Sequence, residues 1–62
     1  MEIENFRTMD PHLLVGIVNT ALRNDYFDLE DLCKSHDIEE DALKARLKEG
    51  GYTYLSAQKR FA

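Results

Sequence analysis

Cys33 stands three residues before His36, and in a helix that spacing brings a thiol and an imidazole onto one face, the pair from which a nucleophile and its general base are built. Catalysis by such a pair also needs a group to orient the imidazole, donors for developing charge and a concave pocket. The surrounding DLEDLCKSHD supplies none of these, so Cys33 is expected as a packed thiol. His12 is far from both in sequence, and one cysteine with two separated histidines gives no zinc spacing. The acidic runs Glu30-Asp31 and Glu39-Glu40-Asp41 suit helix starts, where carboxylates meet the positive end of the backbone dipole, and no partner is placed for acid–base work. No catalytic residue, cofactor or metal ligand is therefore expected. A chain of 62 residues uses most of its side chains to fold.

Two other sets of residues are suited to binding. His12, Gly16, Asn19, Thr20 and Arg23 recur at helical spacing along one polar flank. Asn19 and Thr20 are middling helix formers in mid-helix, and Gly16 costs about 1 kcal/mol relative to alanine there, which either close approach of another backbone or simple tolerance on a solvent face would account for. This flank is either a contact surface for another chain or an internal tie, with Arg23 or Asn19 fastening the loop or the hairpin to the helix. The second set is Lys44, Lys48, Lys59 and Arg60. With Arg46 they put five basic residues against Glu49 alone in residues 42–62, a local charge of +4. Such a patch is suited to phosphates. Against it stand the net charge of −4 and a pI near 4.9, which disfavour general attraction to nucleic acid or anionic membrane.

The elements that position these residues can be read from caps and periodicity. Asp10 before Pro11 is a helix start, and PHLLVGIVNTALRN then places Leu14, Ile17, Val18, Ala21 and Leu22 on one side of a helix over residues 11–24. Asp28 caps a short second helix over 29–36 with Leu29, Leu32 and Cys33 inward, and Phe27 is expected to staple onto Leu32. A third helix starts near residue 39; either Asp37 with Glu40 caps it, or Glu39 sits at the boundary with Ile38 and Leu43 as a staple. Leu43 and Leu47 face the core, and Gly50 is expected to stop the helix in the left-handed conformation. In GYTYLSAQKRFA the period changes to two, which predicts a hairpin turning around Ser56 to Lys59 and closing Tyr52, Tyr54 and Phe61 over the helices. The expected fold is mainly α, a small α+β domain of three short helices and a C-terminal β-hairpin over residues 1–62, with residues 1–9 as a flexible N-terminal arm. Ile38 and Phe27 complete the expected core.

The second and third helices resemble the helix-turn-helix family through Leu32, Cys33, Ile38 and Leu43, which take the apolar and small positions of that pattern. Asp37 departs where glycine is common and Arg46 where a buried aliphatic is expected. A reading helix contacts bases through its N-terminal residues, and here these are Glu39, Glu40 and Asp41. Three carboxylates would repel phosphate. Across nearly the whole chain, PHLLVGIVNTALRND, DLEDLC and LKARLKEGGYTY also resemble a small bacterial family of unknown function, most specifically in Val18-Asn19-Thr20 through Leu22-Arg23. The chain departs from it at Gly16 and Asp28, where serine is common. That resemblance implies a bacterial, cytoplasmic protein and brings no activity with it.

The N-terminal MEIENFRTMD has early acids and no apolar run of signal length, no segment approaches a membrane span, and a single thiol suits a reducing compartment. The expected function is a non-enzymatic protein-interaction or regulatory module, binding another protein or itself as a homodimer. Nucleic-acid binding through the third helix and hairpin is the rival.

Overall fold

The computed structural model describes residues 3–62; Met1 and Glu2, part of the expected arm, lie outside the described residues. The first helix, α1 (Pro11–Asn24), begins as its cap dictates, with the Asp10 carboxylate accepting from the His12 N–H at 2.9 Å. Helix α2 (Leu29–His36) opens on a reciprocal pair: Asp28 accepts from the Asp31 N–H at 2.9 Å, and the Asp31 carboxylate accepts from the Phe27 N–H at 3.0 Å. Helix α3 (Glu40–Glu49) has Glu39 at its boundary with no side-chain cap. Asp37 belongs to the end of α2 instead. It takes the left-handed conformation at φ 54° while the Ile38 N–H bonds back to the Cys33 carbonyl at 2.9 Å.

Two short strands follow, β1 (Tyr54–Leu55) and β2 (Arg60–Phe61), paired antiparallel with Tyr54 opposite Phe61 and Leu55 opposite Arg60. Thr53 and Ala62 exchange both backbone bonds at 2.9 and 3.0 Å, so the ladder alternation turns the Phe61 N–H and C=O away from β1 and toward α1. The turn lies at residues 56–59, as the change of period predicts. Three helices and a C-terminal hairpin are the architecture the sequence implies.

The core is one cluster in which Leu14, Val18, Ala21 and Leu22 of α1 meet Leu29, Leu32 and Cys33 of α2, Leu43 and Leu47 of α3, and Phe61 of β2. Ile17, Ile38, Tyr52 and Tyr54 are half-buried at its margin. Phe27 is a correction. It is 73% exposed, and Tyr26 takes the inward place with its hydroxyl bonded to His36 Nε2 at 2.8 Å. Successive side chains of a non-helical connection point to opposite sides, so only one of the two aromatics can face the core.

The N-terminal segment is the second correction. Residues 3–9 are not a free arm: Ile3 is 0% and Phe6 5% exposed, both in the core cluster, with the Phe6 N–H donating to the Ile3 carbonyl at 3.0 Å and a 3-10 turn following over Phe6–Thr8. Arg46 holds this segment from α3, its guanidinium donating to the Met9 carbonyl through Nε at 3.0 Å and again through a terminal nitrogen. That explains a cation where the helix-turn-helix pattern has an aliphatic. A carbonyl just before the first helix needs a donor, and Arg46 provides two.

The end of α3 is a third correction. Gly50 has φ −91°, and the left-handed residue is Gly51 at φ 88°. Gly50 is required for space: a Cβ there would meet the Pro11 Cβ at 2.6 Å and the Tyr52 ring at 3.2 Å, where the end of α3 crosses the start of α1.

Candidate interaction surfaces

The five flank residues of α1 separate into three environments. Asn19 is an internal tie. Its carboxamide donates to the Phe61 carbonyl at 2.9 Å and accepts from the Phe61 N–H at 2.8 Å, so it satisfies both outward groups of β2 as a neighbouring strand would. The hairpin is thereby fixed on α1.

His12, Gly16 and Thr20 remain on the outside, on a face that also carries Leu13 and Ile17. Leu13 is 59% exposed, and a Cβ at Gly16 would meet nothing within 4 Å. These five residues, with Ala21 at the floor and Asp25 at the far end, line an open groove of about 600 Å³ along the helix. His12 shares a hydrogen bond with the Tyr52 hydroxyl through Nδ1 at 2.7 Å, which leaves Nε2 facing outward. The inward set of Leu14, Ile17, Val18, Ala21 and Leu22 leaves Leu13 out, and nothing in the periodicity marks it as a large exposed apolar group of the outer face.

Arg23 belongs to neither set. It lines a cleft between α1 and the hairpin turn together with Asn19, Thr20, Leu22, Gln58, Lys59 and Arg60. Lys59 stands at φ 53° in the turn with its Nζ 3.8 Å from the centroid of the exposed Phe27 ring, and Arg60 Nε donates to Gln58 Oε1 at 2.8 Å.

The four cations proposed for nucleic acid do not form one basic stripe. Lys44 is paired with Glu40 at 3.0 Å; that hydrogen bond, with other nearby carboxylates, holds its ammonium above the usual lysine range. Lys44 and Lys48 line a cleft with Asp41 and Tyr54, whereas Lys44 and Lys59 line another with Asp28, Glu30 and Glu40. Carboxylates therefore alternate with cations along this side.

The Cys33–His36 pair is not assembled. Cys33 is buried in the core, where burial, with a smaller contribution from Glu40, pushes its thiol up to about 11. His36 turns its ring to Tyr26. Among the described residues no three of His, Cys, Asp and Glu stand together as a metal site, and no helix is long and apolar enough to cross a membrane.

Neither the curated proteins nor the solved structures contain a match to this chain. A family model does match, over residues 8–61, a span that holds α1, α2, α3 and both strands. Within that span Asn19 clamps β2 to α1 and Tyr52 meets His12 on the first turn of α1, and the chain belongs to the family described as a domain of unknown function, DUF4250.

Proposed function

We propose that this domain is a non-enzymatic bacterial protein-interaction module that pairs with a second copy of itself through the outward face of α1. The observation that carries the reading is Leu13, 59% exposed on a face of open space and small residues. Scattered exposed apolar residues are ordinary, but an apolar groove along a helix whose glycine meets nothing is what a second helix needs for close approach.

The groove is complementary to itself. An antiparallel two-fold pairing of the 14-residue α1 sets His12 against Asp25 of the second copy, Gly16 against its Ala21 and Ile17 against its Thr20. The two small residues meet at one crossing, and the outer side of the His12 ring faces a carboxylate. Rivalry from nucleic acid through Lys44, Lys48, Lys59 and Arg60 is less well supported, because carboxylates line the same clefts.

Sedimentation velocity across a wide concentration range tests the pairing. The expected result is a concentration-dependent dimer that Leu13→Glu and Gly16→Leu each reduce to monomer while circular dichroism keeps its helical signal. A wild-type chain that stays monomeric at the highest concentration, or variants that dimerise like it, would overturn the reading.

A further inference from the structure

We infer that the cleft between α1 and the hairpin turn is a binding site for the phosphate group of a small phosphorylated molecule, held by Arg23, Lys59 and Arg60. This goes beyond the pairing face and does not depend on it. The three cations come from α1 and from the C-terminal hairpin, and they gather in a molecule with twelve acidic residues against eight basic ones. Three of the other helical cations are neutralised, Lys34 by Glu30, Lys44 by Glu40 and Arg46 by Glu49, while Lys48 lines a different cleft beside Asp41. Among the described residues, none of Arg23, Lys59 and Arg60 has a carboxylate within ion-pairing distance, and no carboxylate lines their cleft.

Their positions are set by neutral partners. Gln58 orients the Arg60 guanidinium through Nε, which leaves the terminal nitrogens of the fork for an anion, and the Phe27 ring holds the Lys59 ammonium. The Asn19 clamp on Phe61 keeps the turn beside α1, so Arg23 and Arg60 stay on the same cleft. Thr20 adds a hydroxyl at the rim. Arg23, Lys59, Arg60 and Thr20 all line a space of about 470 Å³, a set of groups that suits a tetrahedral dianion with a modest attached group. A nucleic-acid strand fits less well. Beyond Lys59 the surface continues into Asp28, Glu30 and Glu40, which would repel the next phosphate along.

Titration of the ¹⁵N-labelled protein at constant ionic strength with inorganic phosphate, a nucleoside 5′-monophosphate and a short single-stranded oligonucleotide tests the site. The expected result is saturable shifts at Arg23, Gln58, Lys59 and Arg60 with the two small phosphates. Arg23→Gln and Arg60→Gln should each weaken them about tenfold, as loss of a charge-assisted bond does, without lowering the melting temperature. Tighter binding of the monophosphate than of inorganic phosphate would make the source a phosphate ester, and the reverse order would make it the free ion; both support the site. Shifts that never saturate, equal weakening by the distant Lys48→Gln, or an oligonucleotide bound far more tightly through Lys44 and Lys48 would each overturn it.

Discussion

At Cys33, burial couples stability to pH. The fold holds the neutral thiol and raises its pKa from the ordinary 9.0 to about 11, chiefly because the thiolate would be desolvated. Well below pH 9 the thiol is protonated in both folded and unfolded chains, so the contribution is fully present. Between pH 9 and about 11 the unfolded chain releases the proton first, and stability falls as pH rises. Urea titrations from pH 7 to 11 should therefore show a loss of about 2 kcal/mol that a Cys33→Ala chain lacks, its own curve starting lower and staying flatter. Equal slopes in the two chains would show that the thiolate is tolerated. Cys33 was legible as a packed residue because its neighbours Leu29 and Leu32 set the inward face of α2. Asn19 was legible as one of two candidates for an internal tie, an alternative the sequence left open beside a contact surface for another chain. Its partner is Phe61, 42 positions along the chain, and helical periodicity carries no information about which distant backbone a carboxamide will meet.

At the scale of elements, caps determine the boundaries. Asp10-Pro11 and Asp28 announced α1 and α2 to the residue, because each satisfies free N–H groups that nothing else in the chain reaches. The turns were less legible, since a glycine pair says that one residue is left-handed without saying which. The three glycines should accordingly respond differently to alanine. Gly50→Ala drives a methyl into the first turn of α1 and should cost about 1–3 kcal/mol, the range for overpacking. Gly51→Ala forces an L residue to φ 88° in open space and should cost about 1–2 kcal/mol. Gly16→Ala has room and helical backbone, so the monomer should gain about 1 kcal/mol. Chemical denaturation of the three variants at a concentration where the chain is monomeric checks the order. A destabilised Gly16→Ala monomer would mean that α1 is not helical at its centre. Asp37 marks the same limit from the other side: a carboxylate stands at φ 54° where the helix-turn-helix pattern uses glycine, and the left-handed turn forms regardless.

For the molecule as a whole, the N-terminal segment decides whether the domain is stable. Chains of this size obtain only about 3–5 kcal/mol from a single core, so any element that closes the core weighs heavily. Ile3 and Phe6 are buried there, yet MEIENFRTMD has neither a helical nor a strand period, and a single 3-10 turn leaves no repeat for a sequence reading to find. The available signal lay elsewhere, in Arg46: a guanidinium on the inner side of α3 must reach a carbonyl, and the segment before α1 is where an unpaired one remains. The family match begins at Thr8, after both apolar residues. A chain of residues 8–62 keeps α1, α2, α3, both strands and the Arg46 contact to Met9, and loses Ile3, Phe6 and most of the 3-10 turn. Full burial of two such side chains stabilises by about 1.5–3 kcal/mol each, which is comparable with the whole stability expected of the domain. The shortened chain should therefore lose most of its helical circular dichroism at 25 °C, and Phe6→Ala in the full chain should lower the urea midpoint by an amount equivalent to about 3–5 kcal/mol. If the shortened chain instead melts as cooperatively and at the same temperature as the full one, Ile3 and Phe6 merely cover a core that closes without them.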